Sequence, residues 1–378
     1  MNLDEIRREI DKVDSELVAA FCRRMDLVGQ VAAAKKEGSI TLRHPERERA
    51  ILSRVAKEAG DYGAYARVLF STLIDLSCSY QGQLAAKEGE LVTRIQAALD
   101  ESPALFPKGG TVACQGVEGA FSGQAGTRLF PEGDILYFRS FENVFDAVES
   151  GLCQYGVLPI ENSSNGSVSA VYELMKRKQF HIVRSTRLCV HHQLLALPGV
   201  SLADIREITS HEQAIGQCSG FLHTLPEVTV TTAPNTAVAA KTVAESGRRD
   251  LAAIASPHCA ELYGLKPVAD NIQNSENNYT RFICITKDLR IYAGANRISL
   301  MLSAPHRPGG LYELIAKFAA LGLNLTKLES RPMIGRDFEF LFYFDLEAST
   351  LSPEVLRLMD ELSRSCEIFV FLGNYSDV

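Results

Sequence analysis

A hydroxyl and a guanidinium stand side by side at Thr280-Arg281, where the largely polar run Asn271–Asn278 gives way to Phe282, Ile283, Cys284 and Ile285. Loop-to-strand junctions of this kind are where open α/β sheets gather substrate groups. A second candidate is cationic. Ile6, Ile10, Val13, Leu17, Ala20, Leu27 or Val28, and Val31 recur at helical spacing, and Arg24 and Lys35 each fall seven residues after one of them, on the apolar stripe itself. An unpaired cation there is costly, so something anionic should meet it. Arg24 and Lys35 are eleven residues apart, and that spacing gives roughly 16 Å of rise on one helix face, so two long side chains can grip one small dianion. Arg7 lies roughly 25 Å and a quarter turn from Arg24, and reaches that site only from a second chain. A third constellation, Glu161-Asn162-Ser163, follows the apolar run Val157–Ile160 and opens into Ser164-Asn165-Gly166-Ser167. Such loops present hydroxyls and backbone N–H groups to a carboxylate, although Asn/Ser/Gly runs are equally common as turns and caps.

These groups need elements to hold them. The periodicity predicts a first helix ending near Lys36, a second starting at Pro45 with Arg47 and Glu48 in its first turn, and a third from Tyr62 to Ala98. On the third, Phe70, Ile74, Ser77, Gln81 and Leu84 share a face, so two polar groups again interrupt a stripe. Three such helices, the first about 45 to 50 Å long, cannot close a core alone, and an intertwined dimer is the simplest solution.

Residues 101–110 carry two prolines and two glycines and read as a linker after a helical domain at 1–100. From 111 to 290 strand and helix patterns alternate, which is α/β grammar and predicts two lobes about a cleft. From 296 to 378 the order is βαββαβ, the ferredoxin-like unit. There Gly309-Gly310-Leu311 opens a helix whose N–H groups suit a carboxylate, and Glu329-Ser330-Arg331-Pro332 ends a strand.

With Lys+Arg 39 against Asp+Glu 46, the net charge of −7 disfavours nucleic acid or an anionic membrane as partner. Nine scattered cysteines without a Cys-x-x-Cys pair fit reduced thiols in the cytosol and predict no metal site. The charged start Met1-Asn2-Leu3-Asp4-Glu5 and the lack of an apolar run near ~20 residues predict neither a secretory signal nor a membrane span.

Taken together these motifs resemble three families joined in one chain. The helical segment is similar to the all-helical chorismate mutases. The resemblance places Arg7, Arg24, Lys35, Arg47, Glu48, Ser77 and Gln81 on substrate-contacting positions, with His44 where that family usually has a carboxylate. It implies a pericyclic conversion of chorismate to prephenate, with Lys35, Gln81 and Arg24 acting electrostatically and no cofactor. The α/β segment, through Gly119-Ala120-Phe121-Ser122, Ser210-His211, Gln217-Cys218 and Thr280-Arg281-Phe282, resembles prephenate dehydratases, with an architecture like that of periplasmic binding proteins. This implies loss of carboxylate and ring hydroxyl to give phenylpyruvate, with Thr280 orienting or protonating the leaving group, Glu161 or water as alternative acid, and Asn162, Ser163, Ser210, Gln217 and Arg281 as substrate contacts.

The C-terminal segment resembles an ACT domain, implying phenylalanine as effector at Gly309, Gly310, Leu311, Glu329, Ser330, Arg331 and Pro332, with Gly310 standing where alanine is usual. His211 reads either as a relay or as a structural cap. His191, His192 and His258 have no spacing that recommends a role. The expectation is a cytoplasmic, dimeric or larger bifunctional enzyme of phenylalanine biosynthesis. A dehydratase preferring arogenate and a non-catalytic amino-acid-sensing binding protein are the rivals.

Overall fold

The computed structural model describes residues 2–35, 44–85, 89–333 and 340–378. Helices α1 (Leu3–Lys35), α2 (Pro45–Glu58) and α3 (Gly63–Ala85) form the N-terminal unit. Lys36, the expected end of the first helix, lies outside the described residues, as does the Lys35 side chain. The stripe that should be buried is open in the single chain, with Ile10 53% and Leu17 55% exposed.

The third helix differs from expectation. In place of one helix over 62–98, α3 stops at Ala85 and a separate helix, α4 (Glu90–Glu101), begins after Gly89. Gly89 is extended at the N-cap (φ −75°, ψ 159°), so α4 starts afresh there. Its apolar positions Leu91, Ile95 and Ala98, at helical spacing, are buried with Leu302, Phe318, Leu358 and Leu362 of the C-terminal unit. Helix α4 therefore packs with the far end of the chain, and the unit of α1 to α3 ends before residue 100.

The first α/β lobe contains β1 (Gly109–Gln115), α5 (Phe121–Leu129), β2 (Glu132–Phe138), α6 (Phe141–Glu149), β3 (Tyr155–Asn162), β4 (Gly166–Ser167), α7 (Ser169–Arg177) and β5 (His181–Cys189). The chain then crosses at residues 190–192 into the second lobe. That lobe holds β6 (Gln193–Ala196), β7 (Glu207–Ser210), α8 (Glu212–Gln217), α9 (Ser219–Leu222), β8 (Thr229–Thr232), α10 (Thr236–Ser246), β9 (Leu251–Ala255), α11 (Pro257–Tyr263) and β10 (Lys266–Ala269). It returns along residues 270–278 into β11 (Tyr279–Thr286), which inserts antiparallel between β3 and β5. Leu251-Ala-Ala-Ile-Ala255 is buried throughout, as a central strand covered on both faces should be.

The C-terminal unit, β12 (Arg297–Ser303), α12 (Gly310–Ala320), β13 (Asn324–Pro332), β14 (Phe340–Glu347), α13 (Pro353–Ser365) and β15 (Phe369–Asp377), has the expected βαββαβ order. Its sheet is continuous with that of the first lobe, because β15 pairs parallel with β5 at Ser376↔Arg184 and Asp377↔Ser185. One ten-stranded sheet results, nine strands in the order β13-β14-β12-β15-β5-β11-β3-β1-β2 and the short β4 paired to β3 off that path, while the second lobe has its own sheet, β10-β6-β9-β7-β8. The expected linker is pinned at Phe106, whose ring packs at 5.0 Å from both Phe130 and Tyr292 with the Arg184 guanidinium 4.4 Å above it.

Candidate active site

Two crossovers between lobes make a hinge, and polar side chains gather there. A cavity of about 470 Å³ is lined by Ser164, Asn165, Gln213, Gln217, Asn274 and Asn278 among others. Beneath it a chain of amides leads to the strand: Asn278 Nδ2 donates to Gln217 Oε1 (3.0 Å), Asn162 Nδ2 donates to Asn278 Oδ1 (2.8 Å), and Asn162 Nδ2 also donates to Thr280 Oγ1 (2.9 Å). Because Thr280 accepts this bond, its own hydroxyl hydrogen stays available, with no acceptor among the described residues. Among the described residues the cavity lining carries no lysine or arginine and one acid, Glu212, so a substrate carboxylate there depends on neutral donors set away from that acid.

Strand alternation decides the rest. Thr280 pairs with Asn162, and Arg281 with Glu161, across β11 and β3. Successive side chains point to opposite faces, so the second pair turns away from the hinge. Arg281 is buried, and its Nη1 pairs with Asp345 at 2.5 Å and lies 3.9 Å from Glu161, while its Nη2 donates to the Tyr375 hydroxyl at 2.6 Å. Burial works to depress the guanidinium, but Tyr375 and Asp345 outweigh it and hold the charge firmly. Glu161 in turn meets Lys327 at 3.3 Å. Arg281 and Glu161, expected as substrate contact and alternative acid, lie here at the seam with the C-terminal unit.

Two more expected contacts have other work. Ser210 is fully buried and its hydroxyl donates to the Ile254 carbonyl at 2.6 Å, stitching β7 to β9. Ser163 Oγ donates to the Asn277 carbonyl (2.9 Å) and accepts from the Tyr279 N–H (2.9 Å), tying the loop to the start of β11. Asn162 is likewise committed, its Oδ1 accepting from the backbone of Ser164 and Asn165. Of the expected contacts, Gln217 lines the cavity and Thr280 is wired to it. His211 caps α8, its Nδ1 accepting from the Gln213 N–H at 3.3 Å.

In the helical unit Arg24 bonds the Ser77 hydroxyl and the Leu73 carbonyl (3.0 Å), and burial depresses its guanidinium against the opposing influence of Cys78. Gln81 is buried a turn beyond Ser77 on the same helix face. Arg24 and Ser77 thus meet, with Gln81 one turn along the same face. Arg7 is exposed and lies 3.6 Å from Asp4; His44, Arg47 and Glu48 lie at the start of α2.

In the C-terminal unit Gly309 is left-handed (φ 84°) and Gly310 begins α12, where a Cβ would come 2.1 Å from the Pro305 carbonyl oxygen. Glycine at 310 is thus a packing requirement here. Leu311 follows in the same first turn. The strand residues divide: Glu329 and Arg331 pair with each other (2.5 Å), Glu329 also bonds Ser167, and Arg331 donates to Ser169 at 2.8 Å, whereas Ser330 and Pro332 face outward and are exposed. Glu329 and Arg331, expected at the effector site, have their charges paired with each other and with Lys327 and hydrogen-bond the Ser167 and Ser169 hydroxyls of the first lobe.

Asn278 and His192 were missed. Asn278 had a signal, its place two residues before Thr280 in a polar run; His192 had none beyond its type.

A fused chain with a helical unit, a hinged α/β cleft and a ferredoxin-like unit is the class defined by this fold. Residues 112–290 match the prephenate dehydratase family and residues 6–82 match chorismate mutase type II. A chloroplastic arogenate dehydratase/prephenate dehydratase 1 of Arabidopsis thaliana is 37% identical over 280 residues, covering 70% of this chain and 71% of that protein. Among solved structures, a prephenate dehydratase of Arthrobacter aurescens in complex with L-Phe is 27% identical with a TM-score of 0.64, covering 70% of this chain and 90% of that one. A protein described as GqqA, a novel type of quorum quenching acylase, is 32% identical with a TM-score of 0.64, covering 71% and 98%. The chain belongs to the prephenate dehydratase family and carries a chorismate mutase domain in the same polypeptide. Its domains assign it an isomerase and a lyase activity in phenylalanine biosynthesis.

Proposed function

We propose that the hinge cavity is where prephenate loses carboxylate and hydroxyl, and that Thr280 donates a hydrogen bond to the departing hydroxyl while the Gln217 amide meets a carboxylate. The observation that carries this reading is the bond from Asn162 Nδ2 to Thr280 Oγ1 at 2.9 Å, which leaves the threonine a donor. A neutral hydroxyl orients and stabilises a leaving group rather than serving as a strong acid, so the proton comes through water.

The helical unit, in this reading, rearranges chorismate between Arg24, Lys35, Ser77 and Gln81, with Arg47, Glu48 and His44 near by. The exposed stripe of α1 supports a second copy of this chain as its cover, with Arg7 supplied in trans to the partner's site, giving a homodimer or larger assembly. The C-terminal unit, residues 296–378, binds phenylalanine at the start of α12, around Gly309, Gly310 and Leu311, with Ser330 and Pro332 of a neighbouring unit closing the site. The L-Phe complex of the Arthrobacter aurescens relative supports that ligand. Cytoplasmic residence accords with nine free cysteines, and no helix among the described residues is long and apolar enough to cross a membrane.

A second reading, preference for arogenate, is favoured by the names of the Arabidopsis relatives. The pure protein incubated with chorismate, prephenate and arogenate in turn tests both. Prephenate from chorismate and phenylpyruvate from prephenate are expected; phenylalanine from arogenate at the higher kcat/KM selects the second reading.

A further inference from the structure

His192 lies at the crossover into the second lobe, one residue before β6, and is buried. The crossover is held against the returning one: Val190 N donates to the Asn278 carbonyl (2.7 Å), His192 N to Gln273 Oε1 (3.0 Å), and Ile272 N to the His192 carbonyl (3.2 Å). The Phe121 ring meets the imidazole edge-on at 6.3 Å. Imidazole Nε2 stands 2.9 Å from Gln217 Oε1, and Nδ1 has no partner among the described residues.

The polarity of the hydrogen-bonded chain can be read from its other end. Asn162 Oδ1 accepts from the backbone N–H groups of Ser164 (3.0 Å) and Asn165 (2.9 Å), so Nδ2 must be the group turned to Asn278 Oδ1 and Thr280 Oγ1. Asn278, having used its oxygen, turns Nδ2 to Gln217 Oε1. Gln217 therefore offers an oxygen to His192, and the contact at 2.9 Å requires the proton on Nε2. Nδ1 is then the bare nitrogen, the state that suits a buried atom without a partner. Burial lowers the basicity of this imidazole, more than the Gln217 bond restores it, and the ring stays neutral.

We propose that His192 is a positioning residue of the dehydratase: its Nε2–H fixes the Gln217 amide so that the Gln217 NH₂, and not its carbonyl, faces the cavity. Resting on the assignment of the hinge cavity as the dehydratase site, this inference names what orients one of its donors. Without the imidazole donor only the Asn278 bond at 3.0 Å holds the Gln217 carbonyl inward, and the share of amides that turn an oxygen to the substrate carboxylate rises.

The test compares His192→Leu, which keeps bulk and removes the donor, with His192→Gln, whose amide NH₂ reaches the place of Nε2. Loss of one oriented hydrogen bond corresponds to roughly tenfold, so His192→Leu should raise KM for prephenate by about that factor, and His192→Gln should return most of it. Chorismate consumption in the same samples should be unchanged. Equal losses in both variants, or no change in His192→Leu, would overturn the proposal. If His192→Leu does not fold, ¹⁵N spectra of the wild-type protein decide it: an Nε2-protonated neutral ring is expected, and a proton on Nδ1 contradicts it. A normal His192→Leu beside an inactive Thr280→Ala removes this inference alone, whereas an active Thr280→Ala removes the site assignment beneath it.

Discussion

Thr280 and Arg281 are neighbours in the chain and belong to different machines. The Thr280 hydroxyl accepts from Asn162 at 2.9 Å toward the hinge cavity, while the Arg281 guanidinium meets Asp345 of the C-terminal unit at 2.5 Å through the opposite face of the same sheet. One strand thus carries the candidate catalytic hydroxyl on one side and an inter-domain ion pair on the other. Movement of the C-terminal sheet, continuous with β5, has a short mechanical route to Thr280.

Arg281→Met should act on stability. Removing one partner leaves Asp345 buried beside Tyr375 without its cation, which costs about 3 kcal/mol. Thermal unfolding should show the dehydratase and C-terminal units melting early, with KM for prephenate in the folded fraction little altered. A stable variant with a much higher KM would instead mean that Arg281 grips substrate.

Acid should weaken the same seam. Burial, with Arg94 contributing, pushes the imidazole of His181 at the start of β5 down to about 4 from an ordinary 6.5. Between those values the unfolded chain binds the proton and the folded one does not, so stability is full above pH 6.5 and is lost as pH falls toward 4. The melting temperature should drop across that window in the wild type and drop less in His181→Gln; parallel profiles would contradict this.

Arg24→Ala should reduce chorismate turnover by about a hundredfold or more, the scale for removing one preorganised charge, and leave phenylpyruvate formation from added prephenate intact. Both rates measured on one preparation check it, and undiminished chorismate consumption would remove Arg24 from the mutase site.

Gly310→Ala should displace the start of α12, since its Cβ would come 2.1 Å from the Pro305 carbonyl oxygen. Phenylalanine titration of the dehydratase should shift to higher concentration in this variant, and also in Ser330→Ala, whose side chain faces outward. An unchanged inhibition curve in both would place the effector elsewhere.

Much of the architecture is legible because it is written in local periodicities: 111–290 reads as alternating strands and helices, and 296–378 as βαββαβ. The directions of side chains are not. Alternation along β11 implies that Thr280 and Arg281 diverge, but which face meets the cavity depends on the hinge and on Asp345, sixty-four residues away. The contacts of Glu329 and Arg331 are hidden for the same reason, their partners Ser167 and Ser169 lying in another unit. The break before α4 has a local sign in Gly89, but the apolar repeat Leu91, Ile95 and Ala98 that follows is helical like the one before it and reveals only in the fold that it serves a different core. The contact of His192 has no sign in the sequence, because the amide it touches is twenty-five residues away.

The most direct measurement follows Thr280→Ala with chorismate as the starting material, recording both products over one time course. The account predicts that chorismate disappears at the wild-type rate, prephenate accumulates, and phenylpyruvate formation falls by about a hundredfold or more. Phenylpyruvate appearing at the wild-type rate would contradict it.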